Sequence, residues 1–179
     1  KVAMLPDRNV GVVVLTNTEN GGSGVFSTIT NTVLDSYMGL DDNNWLELNY
    51  KNYLNRKSES DEITTETWEI VKGADKNKVK PENYIGTYRD PWFGDIEVYM
   101  KNSQLWISSK RSPKLNGPLQ FYKHNTFAVK WEYQDMNADA FAIFEVDAAG
   151  KAQSLKMKGI SPNIDFSFDF QDLDLDRVE

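Results

Sequence analysis

The second half of the chain consists of short aromatic and β-branched runs separated by turn residues. From Pro81 onward these runs recur roughly every 10–14 positions, which is the spacing of strands joined by hairpins. The predicted strands are Tyr84–Tyr88, Asp95–Lys101, Gln104–Ser109, Leu119–Tyr122, Thr126–Tyr133, Asp139–Val146, Ala152–Lys158 and Ile164–Phe170. This spacing predicts an antiparallel barrel or sandwich of about eight strands.

The pattern within two of these runs predicts strands with one dry and one wet face. In Ile164–Phe170 apolar residues alternate strictly with polar ones, and Asp95–Lys101 begins in the same way. A slip of one residue would turn carboxylates into the core, so the register is well specified. Asp172, Asp174 and Asp176 continue the alternation. We interpret them as the wet face of a terminal strand, because the glycine and the late glutamate of a calcium loop are missing.

The first 40 residues have a different pattern. Val2–Leu5 and Val10–Thr16 are β-rich and flank the turn residues 6–9, so they predict a hairpin. The second of these runs does not alternate, which predicts that both of its faces are buried. Val25–Met38 then carries apolar residues at helical spacing along one face. Gly39 follows, where a left-handed helix cap is favourable.

The segment between these two regions is polar. Residues 41–43 offer caps for a second helix that begins near Asn44. From Asn55 to Lys80 charged and small polar residues dominate, which predicts a long solvated helix or a linker. The most favoured boundary lies near Pro81. The sequence thus divides into a hairpin and helix over residues 1–40, a connector over 41–80 and a β domain over 81–179.

Composition excludes several chemistries. The net charge of −7 leaves no basic footprint for nucleic acid and no polybasic membrane patch. With no cysteine the chain has no thiol nucleophile and no Cys-ligated zinc or iron–sulfur cluster. Its single histidine, His124, excludes a multi-histidine metal site. We therefore expect neither cofactor nor metal.

The apolar runs are short. A membrane span needs about 20 apolar residues, and no run approaches that length. The first ten residues also lack the apolar core of a signal peptide. Because the chain begins directly with strand-like residues after Lys1, we expect it to be a part of a larger protein.

Two parts of the sequence resemble one known arrangement. "VAMLPDRNVGVVVLTNTENGG", followed by a helix and "LDDNNWLE", resembles the C-terminal end of a serine beta-lactamase-like, penicillin-binding-protein-like hydrolase. From Pro81 the chain resembles the lipocalin-like domain often appended to such hydrolases, through "YIGTYRD", "GDIEVYMKNSQLWI", "PLQFYKHNTF", "FEVDAAGKAQSLKMKG" and "FSFDFQDL". The resemblance implies an α+β chain with an eight-stranded lipocalin-like barrel, and a parent enzyme that works in the periplasm or outside the cell.

The catalytic motifs of that hydrolase family are missing from this chain. Their nucleophile belongs to a Ser-x-x-Lys motif, in which the lysine lies one helical turn after the serine. No serine of the chain has a lysine three positions later, and no Lys-Thr-Gly occurs. Tyr50-Lys51-Asn52 and Tyr53-Leu54-Asn55 match Tyr-x-Asn by letters, but we interpret them as chance matches. His124 is interpreted as a solvated turn residue, so the chain is not expected to be an enzyme.

Aromatic residues of the β domain supply a candidate ligand site. Their simplest interpretation is core packing, but an eight-stranded barrel can also hold one small apolar or amphipathic molecule. The candidate binding residues are Tyr99, Trp106, Tyr122, Lys130 and Trp131, with Arg111 as a further partner for a polar head group.

Three functions follow from these observations. The preferred one is a non-catalytic accessory region that packs on its own upstream catalytic domain or on a homo-oligomer partner, and shapes assembly or active-site access. The alternatives are a binding domain for a small apolar or amphipathic ligand, and an independent enzyme. The apolar faces of residues 12–15 and 25–38 need a cover, which we expect from the barrel, the connector or a partner chain.

Overall fold

The structure is a computed structural model, and it describes residues 1–18, 21–164 and 167–178. The chain divides into two compact units, Lys1–Glu59 and Ser60–Glu179. The division lies within a helix, upstream of the boundary near Pro81 that the sequence suggests.

The first unit begins with the predicted hairpin. Strands β1 (Val2–Leu5) and β2 (Val10–Val13) pair antiparallel, and Asn9 adopts the left-handed conformation that reverses the chain. Helix α1 (Gly22–Met38) follows and ends at Gly39, whose φ of 69° confirms the predicted left-handed cap. The local signals of the sequence therefore place the elements of this unit correctly.

The expectation that both faces of β2 are buried is wrong. Burial alternates along the strand, and Val13 is 65% exposed. Leu15, which follows the strand, is 86% exposed. A two-stranded sheet has no second layer of its own, so nothing within this unit covers that face.

A second helix, α2 (Trp45–Gly73), runs through most of the predicted connector. It begins after Asn44, whose backbone N–H donates to the Asp42 carboxylate over 2.8 Å. Asp35 of α1 accepts hydrogen bonds from Trp45 Nε1 (2.7 Å) and from Asn43 (2.8 Å), and these bonds lower the pKa of its carboxyl group. None of the described helices combines the length and the apolar character needed to cross a membrane.

The second unit is a closed eight-stranded antiparallel barrel, which confirms the α+β class and the strand count. Its strands are β3 (Gly86–Asp90), β4 (Gly94–Lys101), β5 (Gln104–Ser109), β6 (Asn116–Lys123), β7 (Thr126–Val129), β8 (Ala140–Val146), β9 (Ala152–Gly159) and β10 (Leu175–Arg177). Neighbours along the chain pair in order, and β10 closes the barrel by pairing with both β9 and β3.

The last predicted strand is misplaced. Within the described residues 164 and 167–170 there is no strand, and Phe170–Asp172 forms a 3₁₀ turn instead. Asp165 and Phe166 lie outside the described residues. The closing strand is Leu175–Arg177, so of the three aspartates assigned to a terminal strand only Asp176 lies on one, although all three are exposed. Phe170 packs on Trp131 from its turn, which satisfies the apolar pattern without strand pairing.

The barrel interior is a filled aromatic core. Tyr84, Phe127 and Phe144 contact one another edge to face, with ring centroids 4.9 to 5.6 Å apart. Tyr88 is completely buried and donates its hydroxyl to the carbonyl of Tyr84 over 2.7 Å. Burial raises the pKa of Tyr88 to about 12, so its hydroxyl stays a donor at neutral pH. These aromatic side chains pack together with aliphatic ones in the middle of the barrel.

The C-terminal part of α2 covers one outer face of the barrel. Trp68 and Val71 of the helix pack in a second apolar cluster with Tyr122, Ala128 and Phe141 from strands β6 to β8. The buried hydroxyls of Ser60 and Ser161 lie 2.6 Å apart and add a polar link between the helix and the loop after β9. This part of the predicted connector therefore belongs to the barrel unit.

Candidate functional site

The structure distributes the sequence-predicted ligand residues over different surfaces of the barrel. Trp131 is only 2% exposed and donates its indole N–H to the carbonyl of Ala138 over 2.6 Å. Tyr122 packs on Phe141 in a tilted arrangement, with ring centroids 5.0 Å apart, within the cluster covered by α2. Both side chains are thus engaged in packing, as the simpler sequence interpretation holds.

Tyr99 and Trp106 are brought together. They lie directly opposite each other on β4 and β5, on the outer face of the barrel. The Tyr99 hydroxyl lies 3.1 Å from the Asn116 amide oxygen, to which it donates. The Lys101 ammonium stands 3.6 Å from the centre of the Trp106 ring, so this face of the indole already has a cationic neighbour.

The two basic candidates are apart from each other. Lys130 is exposed, with its ammonium 5.7 Å from the centre of the Trp68 ring. Arg111 donates to the carbonyl of Trp92 over 2.6 Å. The two basic candidates thus contact different tryptophans, Trp68 for Lys130 and the carbonyl of Trp92 for Arg111.

A cleft opens where β5 and β6 separate. Their pairing covers only three residue pairs and ends at Trp106 and Pro118. Proline has no N–H to donate, so it interrupts a ladder of hydrogen bonds. On the opposite side Gly117 lies so close to the β7 end that an added Cβ would be 2.4 Å from the carbonyl oxygen of Lys130. β6 is therefore held against β7 while its pairing with β5 stops.

The cleft has a volume of about 320 Å³. Four apolar side chains, Leu105, Leu119, Phe121 and Phe127, form its floor, and they belong to or pack against the barrel core. Its other lining residues are Val79, Pro81, Asn102, Ser103, Gln104 and Gln120. The volume falls at the lower end of the range for small-molecule sites.

The cleft is electrically neutral. None of its described lining residues is ionisable, while amide and hydroxyl groups of Asn102, Ser103, Gln104 and Gln120 provide donors and acceptors. The sequence prediction missed this site because its predicted strands end at Ser109 and resume at Leu119, which leaves Pro118 outside any strand. The available signal was Pro118 beside the apolar run Leu119–Tyr122, since proline at a strand marks missing pairing.

Buried Asp90 and partly buried Arg177 bind backbone groups where the barrel closes. Asp90 accepts hydrogen bonds from the backbone N–H groups of Phe93, Asp174 and Trp92, and these bonds lower the pKa of its carboxyl group. Arg177 donates to the carbonyl of Ala152 over 2.9 Å and to the carbonyl of Ile85. Both groups tie the closing strand region to its neighbours.

The geometry supplies no metal centre within the part of the chain that the structure describes. No three histidine, aspartate or glutamate side chains lie there in a group that could hold an ion. His124 is exposed in the β6–β7 turn with a φ of 51°, as expected for a solvated turn residue.

Fold and surface together define a closed antiparallel eight-stranded barrel with a filled core, an outer helix and a neutral cleft at one wall. Residues 73–177 match the family model described as "Domain of unknown function (DUF3471)", which covers more than half of the chain. The chain belongs to this family. No curated protein matches the chain at a significant level.

Proposed function

We propose that this chain is a non-catalytic C-terminal region of a serine beta-lactamase-like hydrolase. In this proposal residues 1–59 complete the catalytic domain, and the barrel is an accessory module that shapes assembly or access to the active site. Two observations support the connection: the DUF3471 family is known as a C-terminal domain in beta-lactamase-like proteins, and residues 1–40 resemble the end of such a catalytic domain.

The burial of the first unit carries the proposal. Among its described residues only Gly22, Thr30 and Asp35 are buried, and none of them has a large apolar side chain. Apolar residues such as Met4, Val13 and Ile29 are exposed instead. A hairpin and helix with their apolar faces uncovered are typical of a piece of a larger packed domain. The β1–β2 hairpin would extend the sheet of that domain.

The barrel supports a role in packing more than a role as a carrier. Aromatic side chains such as Tyr84 and Phe127 pack against one another in its interior, together with aliphatic residues, which favours a packing role. The sequence contains no Ser-x-x-Lys motif, so the proposal assigns the nucleophile to residues upstream of Lys1. The resemblance also carries the proposal that the parent enzyme works in the periplasm or outside the cell.

The test uses the parent protein with its upstream residues. Light scattering would give the oligomeric state of the parent and of a variant that ends at Glu59, before the barrel unit, and p-nitrophenyl ester and nitrocefin hydrolysis would give their kcat and KM. We expect turnover by the parent, none by the 179-residue chain, and a change in the number of chains per particle or in KM when the barrel is removed. A monomeric parent whose oligomeric state and kinetics are unaffected by the truncation would exclude the accessory role, and turnover by the 179-residue chain would exclude a non-catalytic one.

A further inference from the structure

We propose that the cleft between β5 and β6 binds an uncharged, amphipathic small molecule that carries both hydrogen-bond donors and acceptors. This site is separate from the accessory role proposed above and does not depend on it. It also differs from the aromatic set predicted from the sequence, because none of those five residues lines the cleft.

The floor of the cleft is already formed. Leu105 and Phe127 are buried on β5 and β7, and Leu119 is buried on β6 between them. Side chains held in a barrel core keep their positions, so a ligand need not order them when it binds. The apolar part of the ligand would contact these three side chains and Phe121, which completes the floor.

The rim selects for neutral hydrogen-bonding groups. Ser103, Gln104 and Gln120 line the cleft, and their backbone and uncharged side chains carry hydrogen-bond donors and acceptors. Leu105 has no partner residue in β6. The backbone N–H and C=O groups at this unpaired edge therefore provide further donors and acceptors for a ligand. A charged ligand would lose its hydration without gaining a counter-ion, which disfavours carboxylates and amines.

The volume sets the size of the ligand. About 320 Å³ corresponds to the liquid volume of about ten water molecules. A molecule of that size at ordinary ligand efficiency binds with a dissociation constant of about 1 mM. The site therefore suits a small amide, not a long-chain lipid.

N-acetyl-leucinamide is a suitable probe, since it combines an isobutyl group with neutral amides. We would titrate it into the ¹⁵N-labelled 179-residue chain and follow amide chemical shifts. Saturable shifts are expected at Ser103, Gln104 and Gln120. N-acetyl-leucine, which carries a carboxylate, should bind at least about tenfold more weakly. N-acetyl-glycinamide, which lacks the apolar group, should also bind at least about tenfold more weakly.

A rim variant and a matched control complete the test. Gln104→Arg places bulk and charge at an exposed rim position, and Gln153→Arg makes the same change at an exposed position of β9. We expect Gln104→Arg to weaken probe binding about tenfold or more and Gln153→Arg to leave it unchanged. The proposal is overturned by the absence of saturable shifts up to about 20 mM probe. The proposal is also overturned if N-acetyl-leucine binds as tightly as N-acetyl-leucinamide, or if the Gln104→Arg variant binds N-acetyl-leucinamide as tightly as the wild type.

Discussion

Gly117→Ala tests the geometry that separates β6 from β5. A Cβ at this position would lie 2.4 Å from the Lys130 carbonyl oxygen and 3.0 Å from the Cα of Trp131. Both contacts are with backbone, so no flexible side chain can move away. β6 must shift from the β7 end, and that shift strains the 2.9 Å hydrogen bond from the Glu132 N–H to the Asn116 carbonyl.

The expected loss of stability has two causes, which are overpacking and a weakened hydrogen bond. Overpacking a filled core costs about 1–3 kcal/mol, and one backbone hydrogen bond contributes about 1 kcal/mol. We therefore expect Gly117→Ala to lower the free energy of unfolding by about 2–4 kcal/mol. At a urea slope of about 2 kcal/mol per molar, the unfolding midpoint falls by about 1–2 M.

Near-ultraviolet circular dichroism is the appropriate assay, because it reports the packed aromatic core of the barrel. Gly73→Ala is the matched control: it makes the same change at the end of α2, where no atom lies within 4 Å of the added Cβ. The control should leave the midpoint unchanged or raise it slightly. If Gly117→Ala unfolds at the same urea concentration as the wild type, the close approach of β6 to Lys130 is refuted.

Three further predictions follow from single side chains. Tyr88→Phe removes the buried hydroxyl that donates to Tyr84 and should cost about 1–2 kcal/mol in urea unfolding, while an unchanged midpoint would contradict this bond. Because the pKa of the Asp90 carboxyl group is lowered in the fold, its ionised form stabilises the folded state. This stabilisation is present above the ordinary pKa of 3.8 and is lost as the pH falls through the lowered value. Asp90→Asn should therefore reduce the difference in urea midpoint between pH 6 and pH 2.5, and a difference as large as that of the wild type would refute the assignment. Val13→Asp should reduce the concentration-dependent self-association of the 179-residue chain in light scattering, because it places a charge on the exposed hairpin face. Val178→Asp is the control and should leave self-association unchanged. If the wild type and both variants have the same mass at all concentrations, the hairpin face does not drive self-association.

The barrel could be predicted because its signals are local. Turn residues and alternating side chains report on backbone preferences within a few positions, so the strands β3 to β9 lie near their predicted places. The turn at Asp147–Gly150 shows the principle: Gly150 has a φ of 82°, and the Asp147 side chain accepts from the Ala149 N–H. Such a turn needs no distant partner.

The closing strand could not be predicted in the same way. The run Ile164–Phe170 has the stronger alternation, yet hydrogen bonds to β9 and β3 are made by Leu175–Arg177. Which segment closes a barrel depends on the positions of two strands far away in sequence. Alternating apolar side chains are also buried from a 3₁₀ turn, as Phe170 shows.

Some properties of the candidate site could likewise be predicted from the sequence, and others only from the structure. Sequence alone determined that the chain lacks the nucleophile motif, cysteine chemistry and clustered histidines, because these depend only on which residues are present. It also determined the α+β class and the strand spacing, which local backbone preferences carry. Only the tertiary structure decided that Trp131 packs in the core, that Tyr99 and Trp106 face outward, and that a neutral cleft opens beside Pro118. The physical reason is that burial and cavities arise where strands distant in sequence meet or separate.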